Sequence, residues 1–233
     1  MKKNMVIGMI LAIMLVFGTS TVFAAGEDTV KTFNKDEAFA QFLSNWDAKF
    51  NERTSVINEK FNTMLQRVTK RNTRTLEIVS IWHPDMQEQF ETISDEHITL
   101  HNSIFDLKTL MRNTFHEQSV AELTQLHAEL MVSVQEGTMT YREVLAQMKS
   151  FREQRVSLYK EMIEAYKAII EPALENNVLL KEQLKENLTA LKSAIDANEE
   201  EEAKLAISNI YDLLLEHNLF DAYKLTVLES LEN

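Results

Sequence analysis

Glycine and proline punctuate protein folds, and this chain is almost without them. Its 233 residues hold four glycines and two prolines. Past residue 24 only Gly26, Gly137, Pro84 and Pro172 remain. Sheets use such residues in their turns, whereas helix interiors exclude them. The chain is therefore read as all-α. It is expected to form an elongated antiparallel bundle of long amphipathic helices with a smaller C-terminal helical part. The breakers mark off the stretches 34–83, 85–136, 138–171 and 173–233. A helix of about 50 residues is ~75 Å long, at ~1.5 Å per residue.

Apolar spacing agrees with this. The first stretch carries Phe39, Leu43, Trp46, Phe50, Ile57, Phe61, Met64, Val68, Leu76 and Val79, mostly three or four residues apart. The second carries Met86, Phe90, Ile93, His97, Leu100, Ile104, Leu107 and Met111 in strict alternation of four and three. Such periods belong to one face of a helix, not to a strand. The bulky rings near the start of the first stripe suit a core of three or more helices. Polar interruptions at Thr54, Asn72, His97 and Arg155 are read as setters of register. Met64, Met86, Met111, Met131, Met148 and Met162 lie on or beside the stripes and are read as gap-fillers of the core.

Local signals divide the helices. Asn34 with Glu37, Ser119 with Glu122 and Thr140 with Glu143 each match a capping box. The first opens the first helix, the second implies a break near residues 113–118, and the third follows Gly137. Trp82-His83-Pro84 ends the first helix, and Asp85 is expected to cap the next. Pro172 should end or kink its helix. Beyond it, shorter helices are expected at 178–197, 200–217 and 219–231, with turns at 196–198 and 217–218. The domain reading is thus a long bundle over 34–172 and an acidic helical subdomain over 173–233.

Residues 1–24 read as a cleaved signal peptide. Lys2 and Lys3 form a basic start, Met5 to Phe17 an apolar or small core, and Val22-Phe23-Ala24 a peptidase site. Residues 25–33 read as a polar leader. The expected address is secreted or extracytoplasmic, in a periplasm or at a cell surface, and the short Lys-Lys start suggests a bacterial host. Contact with a membrane is expected only through the signal segment, were it left uncleaved. The chain has no cysteine. An exported protein of this kind has no disulfides, so packing must supply its stability.

The formal charge is −12, and loss of Lys2 and Lys3 takes it to −14. Nucleic acid is therefore not an expected partner. The acid is concentrated toward the end: from Glu171 onward there are 14 acidic and 5 basic residues. One basic feature stands out. Arg53, Lys60, Arg67 and Arg74 recur every seven residues, with Lys70 and Arg71 beside them. Seven residues is close to two helical turns, so these side chains form a ridge. The ridge can face an anionic or acidic partner, or pair with acidic side chains of neighbouring helices.

The chemistry is constrained by what is missing. Two glycines past residue 24 cannot build a phosphate-binding loop, a dinucleotide turn or a nucleophile elbow. No Glu-x-x-His and no His-Glu-x-x-His occurs, which removes the ferritin-like di-iron pattern and the commonest zinc-hydrolase motif. No enzyme activity and no cofactor is expected. The candidate ligands are His97 and His101, four apart and so on one helix face, with Asp95 and Glu96 just before them. The spacing alone is equally that of a seam His97 hydrogen-bonded in the core with His101 solvated beside it, so metal is not an expected partner. A buried neutral His97 would also make stability fall with pH. The leading expectation is a non-enzymatic interaction protein of the envelope or extracellular space, binding a protein partner or itself through helix faces. The alternatives are a helical extracytoplasmic chaperone or stress sensor, and a metal-binding protein using His97 and His101.

Overall fold

The structure is a computed structural model that describes residues 35–232. The signal segment, the leader and the Asn34 cap lie outside the described residues. Four α-helices follow one another: α1 (Lys35–Trp82), α2 (Gln87–Gln135), α3 (Tyr141–Ala197) and α4 (Glu200–Glu232), with a 3-10 turn at Pro84–Met86. There is no strand among the described residues, and the all-α class holds. Trp46–Asn233 forms one compact unit, and the start of α1 up to Asn45 belongs to another.

Within the larger unit, side-chain pairs give the directions of the helices. Phe61 stacks on Phe105 at 3.8 Å and Phe50 on His116 at 3.8 Å, so α1 and α2 are antiparallel. Phe115 meets Tyr159, and Arg155 Nε donates to Ser119 Oγ at 3.0 Å, so α2 and α3 are antiparallel. Asn209 Nδ2 donates to Asn187 Oδ1, and Tyr223 Oη to the Ile169 carbonyl, which sets α4 antiparallel to α3. The α2 and α4 helices therefore run in the same direction. Ser208 lies beside Met86 at one end of their contact, and Asn218 beside His97 further along.

The core is densest where α1 ends, α2 begins, α3 ends and α4 begins. Val79, Phe90, Leu191, Ala194, Ala203, Ala206, Ile207 and Ile210 are buried together there. Three alanines in this set let α3 and α4 approach closely around the ring of Phe90. Fully burying a side chain such as Phe90 or Ile207 stabilises by about 1.5–3 kcal/mol.

The connections follow local chemistry. Gly137 takes φ 73° after α2, a left-handed conformation that glycine adopts without strain. The Thr140–Glu143 capping box forms in full, with both reciprocal hydrogen bonds. Asn198 is left-handed at φ 57°, and the Glu199 N–H reaches back to the Ala194 carbonyl, closing the end of α3.

Four local expectations are corrected. The α2 helix does not break near 113–118, and the Ser119–Glu122 box does not form. Ser119 is buried, donates to the Phe115 carbonyl at 2.7 Å and accepts from Arg155, while Glu122 pairs with Arg155 at 3.2 Å. Those capping residues instead hold α3 against α2. Asp85 does not cap α2; it sits inside the 3-10 turn, and Met86 precedes the helix without a side-chain cap. Pro172 does not end α3, which continues past it to Ala197. Pro172 and Ala168 both face solvent, where water can satisfy the carbonyl that proline leaves without a donor. Finally, His217-Asn218 is not a turn but the middle of α4. The boundary drawn at 172/173 thus falls inside one helix, and the C-terminal helix packs on both α2 and α3.

Candidate metal centre

The strict seam of α2 forces His97 inward, at a position that Phe90, Ile93 and Ile104 also share. It is 6% exposed. One turn on, His101 points to the same side and is partly buried. From α4 a second pair at the same spacing faces them, His217 and Asp221. Asp221 is 0% exposed. Two i,i+4 pairs on parallel helices thus converge, and His97, His217 and Asp221 each offer a ligand atom within 4.8 Å of the others.

The hydrogen bonds determine which nitrogen of His97 carries the proton. Asn218 Nδ2 donates to the Ile93 carbonyl at 3.0 Å and to Glu96 Oε2 at 3.2 Å. With its amide nitrogen so used, Asn218 Oδ1 is the acceptor facing His97 Nδ1 at 2.9 Å. His97 Nδ1 therefore bears the hydrogen, and its Nε2 keeps a lone pair. That lone pair faces His101 Nε2 at 3.1 Å, so His101 donates there. A ring held through one nitrogen by an amide oxygen and presenting the other is how protein imidazoles are prepared for a metal.

The carboxylate of Asp221 has two unlike sides. Oδ2 lies 3.4 Å from His217 Nδ1, 3.8 Å from His101 Nε2 and 3.9 Å from His97 Nδ1. Oδ1 pairs with the Lys224 ammonium, one turn along α4. On the other side, Oδ2 and His217 Nδ1 are both buried and have only the loose 3.4 Å contact with each other and the longer ones to His97 and His101. Buried polar atoms of this kind require an explanation, and an ion is one.

The protonation states suit a cation. Burial, then the neighbouring His97, lowers the His101 pKa to about 4. Burial is also the main cause lowering His97, with His217 adding to it. Burial pushes Asp221 upward, but His217 and Lys224 outweigh it and hold the carboxyl well below its usual range. Near neutral pH His97 and His101 are neutral and Asp221 is an anion, the forms in which these groups coordinate metals. The two Nε2 atoms are 3.1 Å apart, close to the ~3.3 Å edge of a tetrahedron with metal–nitrogen bonds of ~2.0–2.1 Å, and for both to bind a metal His101 must move its hydrogen from Nε2 to Nδ1.

The surroundings are cationic. Lys108 lies 5.1 Å from the Tyr166 ring centroid. Burial, then Lys224, lowers the Lys108 pKa to about 8. Lys181 is lowered by the same two causes in the same order. Burial, then Asp221, pushes the Tyr166 phenol up to about 12.

The two sequence candidates, His97 and His101, come together as expected for one helix face. Asp95 and Glu96 do not join them as ligands: Asp95 faces solvent, and Glu96 serves Asn218. The residues that complete the cluster, His217, Asn218, Asp221 and Lys224, escaped sequence reasoning. The signal for them is a second i,i+4 pair, His217-x-x-x-Asp221, set among the apolar residues Leu213, Leu214, Leu215, Leu219, Phe220 and Leu225. The basic ridge stays apart from the cluster's ligands. Lys60, Arg67, Lys70, Arg71 and Arg74 are exposed and form no ion pair with a described residue, while Arg53 is half-buried. Only Arg71 bears on the cluster electrostatically, helping to lower His97.

No protein-family model matches this chain, and neither a curated protein nor a solved structure is significantly similar to it.

Proposed function

We propose that this protein is an exported, non-enzymatic helical bundle that holds one divalent transition-metal ion between α2 and α4. Its ligands are His97, His101, His217 and Asp221. The observation that supports this is the convergence of three imidazoles on a fully buried carboxylate, whose Oδ2, like His217 Nδ1, is buried without a well-formed hydrogen bond. Three nitrogens and one oxygen, with no thiolate, suit Zn2+, Co2+ or Ni2+ better than Ca2+, Mg2+ or Cu+. His97, His217 and Asp221 stand within 4.8 Å of one another, with His101 3.8 Å from Asp221 Oδ2 as the fourth ligand, and a site whose positions are filled by protein is the pattern of a structural or storage site. The ion would tie together two helices whose ligands lie more than a hundred residues apart.

The test is a titration of metal-stripped protein with Co2+, followed by visible absorption and by competition with Zn2+. The expected result is one ion per chain with the intense bands of four-coordinate Co2+, absent from the His97→Ala, His101→Ala double variant. A wild-type chain that takes up neither Co2+, Zn2+ nor Ni2+ stoichiometrically sinks the reading and leaves the cluster as a register lock.

A second reading is self-association through α4. Leu205, Leu215, Leu219 and Tyr223 fall on one face of that helix, and Leu205 and Leu219 are 63% and 64% exposed. Such a face favours a protein contact. Light scattering on the purified chain tests it: a dimer lost in Leu219→Glu supports it, and a monomer at all concentrations removes it.

A further inference from the structure

Asp221 presents a problem that its helix solves locally. A fully buried carboxylate that stays ionised needs a cation, because isolated charge in a protein interior is costly. The three imidazoles on the Oδ2 side stand 3.4 to 3.9 Å away. The charge is supplied on the other side, by the ammonium of Lys224 on Oδ1.

Lys224 is well placed to leave as well as to stay. Its side chain is 20% exposed, so it reaches from the core to solvent. Its Nζ also stands 4.7 Å from the centroid of the Phe220 ring, on whose face an ammonium is attracted when it is not held by a carboxylate. Lys108 and Lys181 add two more cations near the same carboxylate. A divalent ion entering beside Oδ2 would bring further positive charge close to Lys224. Like charges a few ångströms apart in a poorly hydrated interior repel strongly.

Resting on the metal reading, we propose that Lys224 is the resident counter-ion of Asp221, and that a divalent ion binding on the imidazole side displaces it. The metal-free bundle is then held by an internal salt bridge and the metal-bound bundle by coordination. Metal affinity is set by the difference between the two. Lys224 is not a ligand but a competitor for one.

The experiment compares wild type, Lys224→Met and Lys224→Arg as full chains, by Co2+ titration and by thermal unfolding with and without Zn2+. Methionine keeps most of the stem and removes the charge. Arginine keeps the charge and grips a carboxylate through two N–H groups. Lys224→Met should bind Co2+ about tenfold more tightly, melt lower than wild type without metal and show a larger Zn2+-induced rise in Tm. Lys224→Arg should bind Co2+ more weakly than wild type. Equal Co2+ affinities in all three proteins, or weaker binding by Lys224→Met, overturn it while leaving the metal site standing. If the Met variant does not fold, the Arg variant decides. If no protein binds Co2+ or Zn2+, the metal reading fails and this proposal fails with it.

Discussion

His97 and Asn218 meet across 121 residues of chain, with Nδ1 of one 2.9 Å from Oδ1 of the other. This bond joins α2 to α4 and determines the tautomer of His97, because the Asn218 amide nitrogen is already engaged by Ile93 and Glu96. Asn218 is itself 2% exposed. Removing it strands the buried Nδ1–H of His97 and takes a second hydrogen bond from the Ile93 carbonyl. Asn218→Leu should therefore lower stability by about 2–4 kcal/mol in urea unfolding. Loss of the supporting partner should also weaken metal binding by about 10–100-fold. An unchanged Co2+ affinity would show that His97 needs no such support.

Acid should weaken the fold through His101. Its pKa is lowered to about 4 in the folded chain, against an ordinary value of 6.5. Between those values the unfolded chain binds a proton that the folded chain does not. Stability is thus highest above pH 6.5 and falls as pH drops toward 4, by at most ~3 kcal/mol from this group. His97, lowered for the same main reason, adds to the fall in the same direction. Urea midpoints between pH 7 and 4.5 should decline in wild type and decline less in His101→Gln. Parallel curves for the two proteins would show that His101 is not responsible.

The ion pair of Asp221 and Lys224 is buried at its acidic end. Asp221→Ala leaves Lys224 without its partner and opens a gap in α4 among the imidazoles. A loss of about 3–5 kcal/mol is expected. The double variant Asp221→Ala, Lys224→Met should recover part of it, since no unpaired ammonium is then left behind. Thermal unfolding of the single and double variants measures the coupling.

Phe90 is 0% exposed and lies at the centre of the apolar cluster where all four helices meet. Phe90→Ala should cost about 3–5 kcal/mol, combining lost burial with a cavity. Pro172 is the contrasting case. It stands inside α3 with no N–H to give, on a face open to solvent. Pro172→Ala restores a helix hydrogen bond and should raise stability by about 1–3 kcal/mol. A lower melting temperature for Pro172→Ala would mean that its fixed backbone angle serves the packing of α3.

Much of the chain was legible because its local signals are strong. The end of α1 at Trp82, the turn at Gly137, the Thr140 cap and the turn at Asn198 all stand where their residues say. The failures have one cause. Ser119-x-x-Glu122, Pro172 and His217-Asn218 are ordinary helix-boundary signals, worth from about 0.5 to about 3 kcal/mol. Long-range contacts override all three: Arg155 on Ser119, the packing of α4 along α3, and His97 on Asn218.

The sequence by itself determined that this protein is helical, where most of its helices begin and end, and that His97 and His101 share one face. Those properties follow from backbone freedom and from a period of 3.6 residues, which neighbours a few positions apart decide. The tertiary structure alone decided that α4 runs parallel to α2 and sets His217, Asn218, Asp221 and Lys224 against that face. Nothing near His97 in the chain encodes this partner. It comes from burying the apolar stripes of four helices at once, and only that packing brings distant imidazoles and a carboxylate into one dry space.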